Sequence, residues 1–302
     1  MSVPGDWPLA ACSEFREAGG TRWHVQRAGA GRGAPQVLLI HGAGASTHAW
    51  RHVLPALADE ADVVAVDLPG HGFSAMLPAA ASDSRGFAAA LGELLVALGV
   101  VPALLVGHSA GAAVALRLVL QGVARAPMLA INGALVALGG VPGQLFAPAA
   151  RLLAERRLIA SLLARRARSS RAVERLLAGT GSRYTAEDLR LYQRLMMDEG
   201  HLRGVLRMMA NWDLPAIEAA LGGVETPLRL LFGTADRTLP RGYADRVARA
   251  VGGASCVQLE GCGHLLQEEA PARVVEEIRG LLGPRHTDDE GACATVTSAG
   301  PN

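Results

Sequence analysis

The segment Gly107-His108-Ser109-Ala110-Gly111 sets a serine between two glycines, after the apolar run Ala103 to Val106 and before a helix-forming stretch. A turn that tight between strand and helix strains the backbone, and a Cβ at either glycine would collide with neighbouring chain. It also exposes the serine Oγ at a helix start, where amide groups and the helix dipole favour an anion. A serine hydroxyl is a weak nucleophile until an imidazole takes its proton, and the imidazole needs a carboxylate to fix its tautomer and stabilise its charged form. Asp236, in Gly233-Thr234-Ala235-Asp236, follows the run Leu228 to Phe232, and His264, in Gly261-Cys262-Gly263-His264, follows Cys256 to Leu259. Ser109, Asp236 and His264 are therefore the expected nucleophile, orienting acid and base. Asp67, after Val63 to Val66, and Asp213 are competing acids, and Asp236 could instead cap a helix start.

Acyl transfer also needs N–H donors aimed at the developing oxyanion, each worth on the order of 10²- to 10³-fold in rate. Ala110, next after the serine, supplies one. The loop His41-Gly42-Ala43-Gly44-Ala45-Ser46 supplies the second, with Ala43 the best candidate. Gly44, His108, Arg165, Arg166 and Trp212 are the expected substrate contacts. His41 and His108 sit in glycine-flanked turns that suit a hydrogen-bonding structural part, while His24, His48, His52, His71, His201 and His286 have no carboxylate placed by chain order to orient them. No cofactor and no metal is expected: there is no metal-ligand cluster, and Gly42-Ala43-Gly44 has Thr47 where a dinucleotide fingerprint has its third glycine.

Composition excludes further classes. All 29 basic residues are Arg, so a phosphate loop ending in Gly-Lys-Ser/Thr, a Schiff-base lysine and a Ser-Lys dyad are ruled out. A net charge of +1 with 4% aromatic residues gives neither the electrostatic pull nor the stacking platform of a nucleic-acid binder. Cys12, Cys256, Cys262 and Cys293 form no Cys-x-x-Cys, and Met1 to Asp6 lack the basic start and apolar stretch of a secretory signal. A cytoplasmic location is expected, with peripheral membrane contact left open. Residues Ala126 to Ala150 are uncharged, yet Pro127, Pro142, Pro148, Asn132 and Gln144 favour a buried strand plus loop over a transmembrane span.

These residues need a scaffold that brings post-strand loops together. Ser13 to Glu17 and Thr21 to Gln26 read as an antiparallel hairpin. Continuous apolar runs at Val37–Ile40, Val63–Val66, Ala103–Val106, Met128–Ile131, Leu228–Phe232 and Cys256–Leu259 resemble strands covered on both faces. Ser84–Leu98, Ala110–Gln121, Arg241–Val251 and Ala270–Leu282 read as helices between them. The pattern is α/β, a mostly parallel doubly wound sheet. About 95 residues separate Asn132 from Leu228, too many for a plain crossover. Their helical patterning predicts a cap inserted over 136–221, with the core at 1–135 and 222–283 and a disordered tail at 284–302.

Together, His41-Gly42, the run Asp67-Leu68-Pro69-Gly70-His71-Gly72-Phe73-Ser74, the turn at Ser109, Asp236 and His264 resemble the α/β-hydrolase fold family from about residue 12 to residue 283. A serine at the nucleophile position turns the resemblance away from that family's epoxide hydrolases and haloalkane dehalogenases. Trp23-His24-Val25-Gln26, Gly44 to Trp50, Asn132-Gly133-Ala134-Leu135, Leu177 to Arg183 and Met208 to Leu214 are similar to the magnesium-chelatase accessory proteins of bacteriochlorophyll synthesis. That resemblance implies a photosynthetic bacterium and a place beside magnesium insertion into protoporphyrin. It also implies a porphyrin or Mg-porphyrin as small-molecule substrate and chelatase subunits as partners, with Ser109, Asp236 and His264 in the family's serine, aspartate and histidine positions. The stretch Arg151 to Arg175, formally +6, could meet porphyrin propionates through bidentate contacts, although a solvated helix face is the plainer reading. A non-catalytic binding module on the same fold, and a general carboxylesterase or carbon–carbon bond hydrolase, are the alternatives.

Overall fold

A computed structural model describes residues 3–31, 33–137, 157–239 and 242–283. The apolar runs form strands β3 (Gln36–Ile40), β4 (Asp62–Val66), β5 (Leu104–His108), β6 (Met128–Ile131), β7 (Leu228–Gly233) and β8 (Ser255–Leu259), preceded by the hairpin β1 (Ser13–Ala18) and β2 (Thr21–Gly29). All eight lie in one sheet in the order β1-β2-β4-β3-β5-β6-β7-β8. β1 with β2 and β2 with β4 are antiparallel; every other pair is parallel.

The central strands are apolar on both faces because both faces are covered. Leu38 and Ile40 of β3 join one buried cluster and Val37 and Leu39 join the other. Helices α2 (Ser84–Leu98) and α3 (Ala110–Leu120) pack into the first, through residues such as Phe87, Leu91, Leu94 and Val114. Helix α1 (Leu54–Leu57) and a carboxyl-terminal helix pack into the second, through Leu54, Val274 and Ile278.

Among the described residues between β6 and β7 there are five α-helices: α4 (Arg157–Ala167), α5 (Ser170–Gly179), α6 (Ala186–Met196), α7 (Glu199–Asn211) and α8 (Leu214–Ala219). After β7 come α9 (Tyr243–Ala250), α10 (Leu266–Glu269) and α11 (Pro271–Leu282). Side-chain caps fix where two of these helices begin. Asp198 accepts from the His201 amide at 2.7 Å and so starts α7 at Glu199. Asp213, weighed above as a catalytic acid, caps α8 by accepting from the Ala216 amide at 3.1 Å. The short helix α10 has no expected counterpart. Residues 138–156, which hold part of the uncharged stretch and the start of the arginine-rich one, and the tail Pro284 to Asn302 lie outside the described residues.

The strand order places the chemistry. The chain leaves β3 to one side for β4 and returns on the other side as β5, so the loops after β3 and β5 diverge from a switch point, where open α/β sheets form their crevice. α3 begins hard against the end of β3: a Cβ at Gly111 would lie 2.2 Å from the Ile40 carbonyl oxygen. Gly111→Ala should therefore cost ~3 kcal/mol or more, above the usual range for overpacking because the clash is with backbone. Thermal unfolding should record a fall of several degrees in Tm; an unchanged Tm would show that β3 and α3 can separate freely.

Candidate active site

Ser109 stands between β5 and α3 with φ 50° and ψ −116°, a strained positive-φ conformation that a non-glycine residue adopts only where its surroundings enforce it. Here the enforcement is steric and polar. A Cβ at Gly107 would meet the Ala112 Cα at 2.5 Å. The Ser109 N–H donates to the Ile131 carbonyl at 3.0 Å, and the Ser109 carbonyl accepts from Ala112 and Ala134 at 3.1 and 2.9 Å. The side chain stays half-buried at the amino end of α3.

Asp236 and His264 meet on the loops after β7 and β8. The His264 Nδ1 and an Asp236 carboxylate oxygen are 2.7 Å apart, with both side chains buried. The other Asp236 oxygen accepts from the Thr238 and Leu239 amides at 2.6 and 3.2 Å, which aims the carboxylate at the ring. The Ser109 hydroxyl forms no hydrogen bond to the imidazole among the described residues. The two are joined through the residue before the serine: His108 donates from Nε2 to the His264 carbonyl at 2.9 Å, and the two rings lie 4.9 Å apart. His108, expected to touch substrate, is 2% exposed and tied to this carbonyl. Burial, followed by repulsion from His264, pushes its pKa well below the ordinary value and keeps it neutral.

Two further braces escaped sequence reasoning. Asn132, at the end of β6 with φ 42°, donates to the Gly263 and His264 carbonyls at 3.0 and 2.9 Å and accepts from the Gly233 amide at 3.1 Å. One amide group thus ties β7 to the loop carrying His264. The Thr180 carbonyl, just after α5, accepts from the His264 and Arg237 amides at 3.2 and 3.3 Å, and the Ser182 hydroxyl accepts from the Leu265 amide at 2.8 Å. The only sequence signal for either was the segments Asn132 to Leu135 and Leu177 to Arg183, in which no individual role was legible.

The loop after β3 runs beside the serine: a Cβ at Gly42 would lie 2.9 Å from the Ser109 Cβ. The Ala45 amide donates to the Gly42 carbonyl at 3.2 Å and closes a turn with Ala43 and Gly44 at its centre. Gly44 has φ +80°, as the third residue of a type II turn requires. Ala43 is exposed and Ala110 buried, and neither of their amides has a hydrogen-bond acceptor among the described residues. His41 fixes the peptide between Gly42 and Ala43: its Nδ1–H donates to the Gly42 carbonyl at 2.7 Å while its Nε2 accepts the Leu68 amide at 2.9 Å.

Asp67 has a different task from the acid weighed above. It is fully buried and accepts from the Thr47 and Phe73 amides at 2.6 and 2.9 Å, holding the loops after β3 and β4 together. It also faces the His24 Nδ1 at 2.7 Å, and the His24 Nε2 is 3.0 Å from the Ser13 Oγ. His24 therefore does have an orienting carboxylate, contrary to expectation; the partner is 43 residues away along the chain and reaches it by the pairing of β2 with β4.

The other expected contacts are more peripheral. Trp212 is half-buried and stacks edge-on against Phe87 with ring centroids 6.2 Å apart. Arg165 and Arg166 are exposed on α4, on the side opposite the buried Ala160, Ala164 and Ala167. The Gly44 backbone is engaged by the turn and by a histidine of α7, described below. Among the described residues no group of three or more His, Cys, Asp or Glu is placed to hold a metal ion, and no helix is long and apolar enough to cross a membrane.

Comparison with known proteins identifies the family and the fold. A model of the alpha/beta hydrolase family matches residues 37–277. The chain is 36% identical over 270 residues to the magnesium-chelatase 30 kDa subunit of Rhodobacter capsulatus, covering 89% of this chain and 94% of that protein. It is 30% identical over 261 residues to the dihydrolipoyllysine-residue acetyltransferase component of the acetoin cleaving system of Pseudomonas putida, covering 83% of this chain and 64% of that protein. An alpha/beta hydrolase fold protein from Burkholderia ambifaria superposes with a TM-score of 0.73 at 22% identity, over 89% of this chain and 97% of its own.

The buried Asp67 yields a prediction in pH. Burial would raise its carboxyl, but attraction and hydrogen bonding to His24, with His41 and the Phe73 amide, hold it down to about 2. The unfolded value is about 3.9, so this stabilisation is complete above that pH and is lost as pH falls toward about 2. Asp67→Asn should flatten the acid limb of stability between about pH 4 and pH 2 and lower stability at neutral pH by ~3 kcal/mol. Denaturant melts across that range test it; an unchanged acid limb would remove Asp67 from the account.

Proposed function

Since this chain belongs to the alpha/beta hydrolase family, we propose that it is a serine hydrolase acting on an ester-type acyl bond, with Ser109 as nucleophile, His264 as base and Asp236 as the acid that orients it. The observation that carries this reading is the buried 2.7 Å contact between His264 Nδ1 and Asp236, on loops braced beside the strained serine. With Nδ1–H held by the carboxylate, Nε2 is the nitrogen free to take the Ser109 proton. Attack on the acyl carbon gives a tetrahedral oxyanion, which the amides of Ala43 and Ala110 receive. Collapse expels the alcohol, protonated by His264, and leaves an acyl-serine that water hydrolyses by the same path in reverse roles. The core of this hydrolase is residues 1–135 and 222–283, with 136–221 as the helical cap.

The physiological setting we propose is supported by the relative in Rhodobacter capsulatus, whose name is that of a magnesium-chelatase subunit. We place this protein in the cytoplasm beside magnesium insertion in bacteriochlorophyll synthesis, with chelatase subunits as partners and a porphyrin or Mg-porphyrin as ligand. A second reading, a porphyrin- or chelatase-binding module without catalysis, is favoured by one observation: the serine hydroxyl is not hydrogen-bonded to the imidazole. Such bonds are often long in unliganded enzymes and tighten with substrate.

A fluorophosphonate probe separates the two. The wild type should be labelled at Ser109 and Ser109→Ala should not, with aryl-ester hydrolysis falling on the order of 10⁶-fold; an unlabelled wild type would leave the binding module. If Ser109→Ala nevertheless restores pigment in a photosynthetic bacterium lacking its own copy of this protein, the triad is not what the pathway uses. Replacing Arg165 and Arg166 by Gln should weaken protoporphyrin binding about tenfold through lost charged hydrogen bonds, with ester turnover unaltered. Equal affinity in a fluorescence titration would detach the porphyrin from this face.

A further inference from the structure

Helix α7 lies in the segment between β6 and β7, yet one of its side chains is built into the loops beneath it. His201, 2% exposed, accepts the Gly72 amide at Nδ1 at 3.0 Å. The ring must then carry its proton at Nε2, and that N–H donates to the Gly44 carbonyl at 3.3 Å. Burial first, then repulsion from His41, lowers its pKa to about 4, so the neutral ring that makes both bonds is the form present at neutral pH. One turn further along, α7 touches the loop after β4 at backbone distance: a Cβ at Gly204 would lie 1.9 Å from the Gly70 oxygen. The helix is thus seated on the loop that holds His201 at Nδ1.

The bond at Nε2 reaches the middle of the other loop. Residues 41–47 are held at one end by His41 on the Gly42 carbonyl and at the other by Asp67 on the Thr47 amide. Between them, His201 engages the Gly44 carbonyl, in the turn whose preceding residue is Ala43. We propose that His201 is a positioning residue of the ester-cleaving site: by holding Gly44 from α7 it keeps the Ala43 N–H turned toward the oxyanion, so that this donor is complete only while the helical segment is seated. The assignment rests on the serine-hydrolase reading above.

The test uses a short aryl acetate, with active serines counted by fluorophosphonate titration. His201→Leu should lower kcat per titrated serine about 10- to 100-fold, bounded by the loss of a whole donor, with KM within about twofold of wild type. His201→Gln should recover most of the loss, since its amide can donate to Gly44 and its carbonyl can accept from Gly72. Gly204→Ala keeps His201 but lifts α7 from its seat, and should lower kcat per serine in the same direction. A purely structural histidine would reduce the number of titratable serines and leave each with normal turnover. A fall of less than about tenfold per serine in both His201→Leu and Gly204→Ala overturns the assignment. If Ser109→Ala is inactive while those two variants are normal, only His201 has lost its part; if Ser109→Ala retains turnover, the hydrolase reading fails and this inference with it.

Discussion

Ser109 holds a backbone conformation that costs on the order of 1 to 3 kcal/mol, and the surrounding structure prevents it from relaxing. Its amide is bonded to β6, its carbonyl accepts from Ala112 and Ala134, and the glycines on either side leave no room for the chain to rotate. Because β5 lies between β3 and β6, those restraints come from both neighbouring strands. The loop after β3 lies against the serine and the start of α3, where a Cβ at Gly42 or at Gly111 would find no room. The nearness of Ser109 to the loop after β3 therefore follows from this packing, while the turn within that loop is held by His41 and His201.

The crevice also has to satisfy many buried polar groups with one another, since water reaches few of them. The His264 carbonyl takes hydrogen bonds from both His108 and Asn132, and Asn132 spends its remaining oxygen on Gly233. Asp67 binds two amides and a histidine. These bonds place loops by their backbones. They also show why a Ser-His-Asp contact alone identifies no nucleophile. Ser13, His24 and Asp67 are joined by hydrogen bonds, yet the Ser13 amide is committed to the Ala10 carbonyl and no helix begins behind that serine.

Legibility followed the range of the interactions. The strands and α2, α3 and α11 were readable because continuous apolar runs and helical spacing are local, and the turn at Ser109 was readable because its glycines stand within two residues. Asp236 and His264 could be nominated by their post-strand loops. Contacts made across the sheet left no such trace. His24 lacks a nearby acid in sequence, and only the β2–β4 pairing supplies Asp67. Asn132 and Thr180 act through single amide and carbonyl groups, which any residue run can hide. His201 looked like one histidine among nine, because its partners are backbone atoms of two other loops.

The helices between β6 and β7 are more than a cover. Ala160, Ala164, Leu177, Tyr192, Met196 and Leu202 form one buried cluster with Ala45, Ala49 and Leu265 of the sheet side. Beside it Arg51 pairs with Asp188 of α6 and, at 2.9 Å, with Glu268 of α10, while the Tyr192 hydroxyl donates to Glu268 at 2.7 Å. Two carboxylates around one guanidinium leave a surplus negative charge, and burial raises Glu268 to about 7. Separating α6 from the sheet would break the Arg51–Asp188 pair and the Tyr192–Glu268 hydrogen bond and expose the apolar cluster to water. The described helices are thus bound to the sheet by packing, by a charge cluster and by the backbone contacts at Thr180 and His201. The Gly44 turn and the His264 loop are therefore held from the same side as these helices, so their placement depends on how the helices sit on the sheet.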